Sequence, residues 1–134
     1  MSMLDELKVN NYAILASNGY FSFDNGIKPV ISKLNENIEY FKGLTVADKI
    51  IGKASAMLLC LSGVKEVYCT VLSKAGEQVL KKYGVPYHYE NMTEIIINRK
   101  GDDMCPMEKT VKDIDDLMQA YNALNQTLIN LQNK

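Results

Sequence analysis

The sequence predicts an α/β protein of three layers, α/β/α, with a mixed, mostly five-stranded sheet and a long C-terminal helix. First, strand-like apolar runs alternate with helical periods in its second half, which indicates βαβ crossovers and parallel strands. Second, an Asn18-Gly19 pair lies between two strand-like runs and predicts an antiparallel hairpin. Third, 134 residues suffice for one domain with a substantial core.

Each element has a signal of its own. Apolar residues at three- and four-residue steps predict the helices, and Asn18-Gly19 predicts a type I′ turn, which needs positive φ at both positions. In the most apolar helix, Thr45 and Asp48 resemble a capping box. The predicted elements are helices at 1–9, 28–41, 46–61, 74–83 and 111–132, strands on both sides of Asn18-Gly19, and strands at 66–72, 85–90 and 95–97.

Composition excludes several classes of protein. The net charge of −1, from 15 basic and 16 acidic residues, gives no field that would hold a polyanion, so we expect no nucleic-acid partner. No run approaches the ~20 apolar residues of a membrane span, and the first residues lack the apolar core of a secretion signal. Three widely spaced cysteines are typical of reduced thiols in the cytoplasm.

Four stretches of sequence resemble a known family. TVADKIIGKASAMLL, SGVKEVYCTVLS, KKYGVPYHYE and IINRKGDDMCPMEK are similar to a family of small bacterial proteins, a domain of unknown function assigned to the cytidine-deaminase-like superfamily. The resemblance covers about residues 10–112, and INR-G-x-x-x-CPME is its most specific piece. It implies a single cytidine-deaminase-like domain over 1–134, with the C-terminal helix at about 111–132 added, and no established activity.

The chain departs from active zinc deaminases of that superfamily. Those enzymes have His-Ala-Glu or Cys-Ala-Glu at the start of a core helix and Pro-Cys-x-x-Cys after the next strand. Here the matching positions read Val46-Ala47-Asp48 and Ser73-Lys74, and a valine cannot bind zinc. We therefore expect a scaffold without the zinc site, without another metal and without a cofactor.

Ligands in open α/β sheets bind beyond the carboxyl ends of parallel strands, near helix N-termini. This criterion selects Asp48 and Lys49 at one predicted helix start and Ser73 at the next. Lys53 lies one turn beyond Lys49, and the two lysines would make an anion site if both face the cleft. Asp48 is a candidate catalytic acid, with helix capping as its structural alternative; the lysine pair is otherwise a solvated face.

A loop across the same edge adds Asn98, Arg99 and Cys105. Arg99 could bind phosphate or carboxylate with both arms of its guanidinium, or form an exposed ion pair with a neighbouring aspartate. Cys105 precedes Pro106, which predicts a helix N-cap where the helix dipole favours the thiolate. It is thus a candidate catalytic nucleophile, and an unreactive cysteine closing a turn is the alternative.

The last helix carries an apolar seam at alternating steps of three and four residues. Such a seam packs either on the domain or on a second copy in a homodimer. Its members are Ile114, Leu117, Tyr121, Leu124, Leu128 and Leu131.

Three functions remain open. The first is metal-free binding of a small molecule, a nucleotide-like or other anionic metabolite, by Asp48, Lys49, Lys53, Ser73 and the loop residues. The second is a thiol enzyme with Cys105 as nucleophile and a lysine or aspartate moving protons. The third is an interaction module that oligomerises through the terminal helix.

Overall fold

The computed structural model describes residues 2–97, 101 and 103–133 of the chain. Helices and strands alternate through this part. The helices are α1 (Met3–Val9), α2 (Lys28–Glu36), α3 (Lys53–Ser62), α4 (Lys74–Lys82), α5 (Pro106–Val111) and α6 (Leu117–Gln132). The strands are β1 (Ile14–Ala16), β2 (Phe21–Ser22), β3 (Thr45–Ile51), β4 (Glu66–Ser73) and β5 (Tyr87–Thr93).

The five strands form one mixed sheet in the order β2-β1-β3-β4-β5. β1 is antiparallel to both of its neighbours, whereas β3, β4 and β5 are parallel. The predicted α/β class, the mixed five-stranded sheet and the long C-terminal helix are confirmed. The carboxyl ends of β3 and β4 lead directly into α3 and α4, so both helices begin at the same edge of the sheet.

The two faces of the sheet are covered very unequally. On one face, α1 packs Leu7 against Leu15 and Ala47. The other face carries the main core, in which apolar side chains of α2, α3 and α4 pack together with those of the strands. Helix α6 forms an outer cover over α3 and α5 and buries Leu124 completely. Most of the bulk of the molecule therefore lies over one face.

The largest correction concerns residues 45–51. The predicted helix at 46–61 is wrong in its first third, because Thr45–Ile51 forms β3 and the helix begins only at Lys53. Asp48 therefore does not cap a helix; it lies in the sheet opposite Ile14 and Cys69. The apolar run satisfies a helical period by coincidence, and Gly52 marks the change from strand to helix.

The predicted strand at 95–97 is also wrong. Beyond β5 the described chain makes only an isolated bridge between Ile97 and Met104. The hairpin has the predicted position but not the predicted turn, because φ is positive at Gly19 alone. Asn18 instead accepts a hydrogen bond from the Tyr20 N–H at 3.0 Å.

Two predicted helices are shorter than expected. α2 ends at Glu36 instead of residue 41. The predicted helix at 111–132 begins only at Leu117, where Asp116 accepts a hydrogen bond from the Gln119 N–H at 2.8 Å. Most of its seam packs on the domain, as Leu124 shows, while Leu131 is exposed. Across the described ranges, no helix combines the length and the apolar character needed to cross a membrane.

Candidate functional site

Helix α3 begins without a cap of its own. Its N-cap residue is Gly52, which has no side chain to accept from the free N–H groups of the first turn. Glu108 supplies the acceptors from α5: its two carboxylate oxygens accept from the Lys53 N–H at 2.7 Å and the Ala54 N–H at 2.8 Å. Glu108 is buried in this position. The carboxylate thus occupies the place where a bound anion would meet the start of α3.

The contact with Glu108 requires a glycine at position 52. A Cβ there would lie 2.7 Å from the Glu108 carboxyl carbon and 2.9 Å from Ile96 Cγ1. Gly76, in the first turn of α4, also packs tightly against Gly52, since a Cβ at position 76 would lie 3.0 Å from the Gly52 carbonyl carbon. The turn between β3 and α3 is therefore packed tightly from two sides.

Helix α4 is capped locally. Ser73, its N-cap, accepts a hydrogen bond from the Gly76 N–H at 3.0 Å and is fully buried. The predicted ligand residue Ser73 therefore uses its hydroxyl as a helix cap.

Two cavities lie along this edge of the sheet. The α3 cavity, of about 990 Å³, includes Asp48, Ser55, Ile96, Cys105, Glu108 and Leu128 in its wall. The α4 cavity, of about 300 Å³, includes Lys53, Ser73, Val79, Tyr83, Ile96 and Glu108. Ile96 and Glu108 line both and so separate them. The larger cavity matches the ~300–1,000 Å³ of sites for small molecules.

Asp48 is a buried carboxyl group in the wall of the α3 cavity. It is 7% exposed and accepts a hydrogen bond from the Ile50 N–H at 3.3 Å. Burial raises the pKa of Asp48 to about 8, although this bond, the Lys49 N–H and the Lys49 charge oppose the rise. The Lys49 ammonium donates to Asn11 Oδ1 at 3.0 Å instead. Asp48 is therefore mostly uncharged at neutral pH.

Ser55 lies in the first turn of α3 and lines the same cavity. It is 5% exposed, and its hydroxyl has no hydrogen-bond partner within residues 2–97, 101 and 103–133. Ser62, at the other end of the helix, is equally buried but accepts from the Phe41 N–H at 2.8 Å. An unpaired buried hydroxyl costs stability, so the one at Ser55 is available to a bound molecule.

Cys105 is the predicted N-cap of α5, and its N–H donates to the Ile96 carbonyl at 2.8 Å. It is half-buried in the wall of the α3 cavity. Burial raises the pKa of Cys60 and of Cys69 to about 12, with the Asp48 charge adding to the rise at Cys69. Greater reactivity of Cys105 than of these two thiols stays a prediction.

The structure brings together only part of the predicted site. Asp48, Lys49 and Cys105 line the α3 cavity, whereas Lys53 and Ser73 line the α4 cavity. The two lysines do not form a pair on one helix, because Lys49 is in β3 and the Lys53 ammonium donates to the Lys112 carbonyl at 3.0 Å. Two further candidates, Asn98 and Arg99, lie outside the described residues.

Sequence reasoning missed Ser55 and Glu108. The signal for Glu108 was present: a helix that starts with glycine needs an acceptor from elsewhere, and a CPME segment offers a carboxylate. The separation of 55 residues hid the pairing. Ser55 gave no signal, because a serine inside a helix is ordinarily solvated.

No group of three or more His, Cys, Asp or Glu side chains suited to a metal ion occurs in the part of the chain that the structure describes. The matching of Val46-Ala47-Asp48 to a helix start is wrong, because these residues lie inside β3. The helix start that follows reads Lys53-Ala54-Ser55, which also lacks the nitrogen and sulfur ligands that zinc prefers.

The mixed sheet and the cavity at its carboxyl edge define an α/β protein with a candidate small-molecule site. Residues 2–128 match the domain of unknown function DUF1893, and the chain belongs to that family. The predicted membership in a family of unknown function is thereby confirmed.

A solved structure of the same family resembles the chain over most of its length. It is a DUF1893 family protein (TM1506) from Thermotoga maritima, with a TM-score of 0.83 and 28% identity, covering 92% of this chain and 85% of that one. A search of curated proteins found no match. The cytidine-deaminase-like assignment stays a prediction.

Proposed function

We propose that the protein binds a small molecule in the α3 cavity and does so without a metal. The unpaired, buried Ser55 hydroxyl is the observation that carries this proposal. Leaving such a group without a partner costs stability, typically about 1–3 kcal/mol. A ligand that pairs with the hydroxyl removes that cost, so the group favours the occupied state.

The walls of the α3 cavity support the same proposal. Ile50, Ile97 and Leu131 line it although each is 42–50% exposed. Ligand sites commonly combine such apolar surface with a few polar groups that fix orientation, and here Asp48 and Ser55 supply the polar groups. An apolar ligand body would cover the exposed side chains.

The expectation of an anionic ligand now rests on fewer groups. The start of α3 would be the strongest anion site, but Glu108 already fills it. Lys53 and Ser73 belong to the other cavity. A nucleotide-like ligand remains part of the proposal, because the uncharged portion of such a ligand would occupy the α3 cavity.

The remaining expectations enter as parts of the proposal. The cysteines Cys60, Cys69 and Cys105 are all free, which fits a protein of the cytoplasm. Catalysis by Cys105 is the second candidate, supported by its place in the wall of the same cavity as Asp48. A homodimer would use the exposed end of α6, including Leu131, since the rest of the seam is occupied.

Native mass spectrometry of the protein purified from expressing cells tests the binding proposal. We expect a fraction of the wild-type chains to carry an extra mass of roughly 150–500 Da, the range such a cavity holds. Ser55→Val should reduce that fraction, whereas Ser62→Ala, in the same helix but hydrogen-bonded to Phe41, should not.

Two results would contradict the proposal. One is wild-type protein without added mass whose Cys105 is alkylated equally fast with and without a small-molecule extract of the same cells. The other is a retained mass that both serine variants keep. A covalent adduct on Cys105 in intact protein would instead favour the thiol enzyme.

A further inference from the structure

The polar groups of the α3 cavity are matched to one class of ligand. Among its described polar side chains, Asp48 and Ser55 are deeply buried and make no strong side-chain hydrogen bond. Asp48 accepts a long bond of 3.3 Å from the Ile50 N–H and interacts with the Lys49 N–H, and the Ser55 hydroxyl has no partner within the described ranges. A protonated carboxyl group and a hydroxyl can each donate and accept a hydrogen bond.

The charged groups around them are engaged elsewhere or balanced. Glu108 accepts from two N–H groups of α3, and Asp103 is paired with Lys109. Lys49 donates to Asn11. The other lysine in the described wall of the cavity is Lys28, at the start of α2.

The sum of these charges is small. Two lysines and two carboxylates among the described lining residues cancel when Asp48 is protonated. Among these described residues neither a ligand anion nor a ligand cation finds an excess of opposite charge, and each would lose its hydration on entering the cavity.

From this geometry we infer that the α3 cavity selects an uncharged group with adjacent donor and acceptor atoms, such as a carboxamide, attached to an apolar body. The inference rests on the proposed function and names the class of ligand. The amide N–H and carbonyl would pair with Asp48 and Ser55, and the apolar body would lie on Ile50, Ile97 and Leu131. An anion would meet the Glu108 carboxylate already at the helix start.

Ligand binding in the α3 cavity should also depend on pH, because it requires Asp48 to be protonated. Its carboxyl ionises near pH 8 because burial raises its pKa. The Lys49 charge on its own strand lowers this pKa. The other titratable groups that surround Asp48 are Cys69 on the neighbouring strand β4, and Lys28, Cys105 and Glu108 in the wall of the same cavity. Binding of an uncharged amide should therefore weaken above about pH 8, where Asp48 can no longer donate.

Three probes of nearly equal shape separate the classes: benzamide is neutral, benzoate is an anion and benzamidine is a cation. The readout is the rate at which iodoacetamide alkylates Cys105, followed by peptide mapping at pH 7 with increasing probe concentration. We expect benzamide to slow the alkylation about fivefold or more at saturation. Benzoate and benzamidine should need roughly tenfold higher concentrations for the same protection.

Variants test the two polar groups. Ser55→Ala should raise the benzamide concentration for half-protection roughly fivefold to tenfold, and the matched Ser62→Ala should leave it unchanged. Asp48→Asn keeps a donor and an acceptor but cannot ionise. It should therefore keep benzamide binding above pH 8, where the wild type loses it, when rates with and without benzamide are compared at each pH.

The other outcomes overturn the inference in distinguishable ways. Stronger protection of Cys105 by benzoate than by benzamide would show an anion site. Stronger protection by benzamidine would show that Asp48 is ionised and pairs with a cationic ligand. Either result refutes the uncharged class but leaves a binding cavity in place. Protection by none of the three also refutes it. The proposed function fails as well only if purified protein carries no added mass and a small-molecule extract of the same cells leaves the alkylation rate of Cys105 unchanged.

Discussion

Helices α3 and α4 begin side by side at one edge of the sheet, yet they are capped in opposite ways. α4 uses Ser73, a residue of its own chain segment, three positions before the N–H that it accepts from. α3 has Gly52 as its N-cap and depends on Glu108, which lies 55 residues beyond Lys53, the first residue of the helix. The local cap closes the start of α4 by itself, whereas the remote cap fixes the start of α3 only when α5 is in place.

This difference shows how the chain builds a cavity. Because Glu108 must reach α3, the segment around Ile96, Cys105 and α5 is held over the sheet edge and becomes a cavity wall. Ser73, by contrast, fixes nothing beyond its own helix. The stability of the α3 start and the shape of the cavity should therefore change together, and those of α4 should not.

Gly52→Ala should have the largest effect, because the new Cβ would overlap the Glu108 carboxyl group and Ile96. We expect a loss of about 3 kcal/mol or more in the free energy of unfolding, measured by urea denaturation. In a Glu108→Ala background the same substitution should cost clearly less, since one of the two clashing groups is gone. Equal costs in both backgrounds would contradict the remote-cap arrangement.

The next effect is the pH dependence of stability. Since the pKa of Asp48 is raised in the folded chain, the folded state holds a proton that the unfolded state releases above about pH 4. Stability should therefore fall as pH rises from about 4 to 8, because over this range only the folded state keeps the proton on Asp48. Subtracting the profile of Asp48→Asn isolates the contribution; a flat difference would show that Asp48 is ionised in the fold.

Removal of either cap should lower the free energy of unfolding by a similar amount, but only the loss of the Glu108 cap should also affect a distant part of the chain. Glu108→Gln and Ser73→Ala should each lower the free energy of unfolding by about 1–2 kcal/mol. Only Glu108→Gln should also speed the alkylation of Cys105, because only that cap holds the cavity wall. If Ser73→Ala speeds the alkylation as much, the two helix starts are not independent.

Much of the fold could be predicted because local signals agree with it. The alternation of elements, the hairpin and the end of α3 depend on near neighbours in sequence. Residues 45–51 could not be recognised as a strand from the sequence, because a short buried strand followed by a helix gives the same apolar spacing as one long helix. Ile95, Ile96 and Ile97 have the β-branched character of a strand, but the sheet ends at β5, so they serve as cavity wall instead.

The site was harder to predict than the fold. Cys105 was selected as a helix N-cap, and it is the N-cap of α5. Asp48 was selected as part of a helix start, but it lies within β3 and lines the cavity from there. The pairing of Gly52 with Glu108 and the solitary hydroxyl of Ser55 depend on tertiary packing between segments far apart in sequence. No local sequence pattern predicts either of them.

The most direct measurement compares the stabilities of two serine variants of α3 in ligand-free protein. Ser62→Ala removes the acceptor of the Phe41 N–H and should lower the free energy of unfolding by about 1–2 kcal/mol. Ser55→Ala removes a hydroxyl that has no partner in the described chain and should leave the stability unchanged or raise it, by up to about 1–3 kcal/mol. A loss at Ser55 as large as that at Ser62 would show that its hydroxyl supports the fold, and would contradict its role in binding.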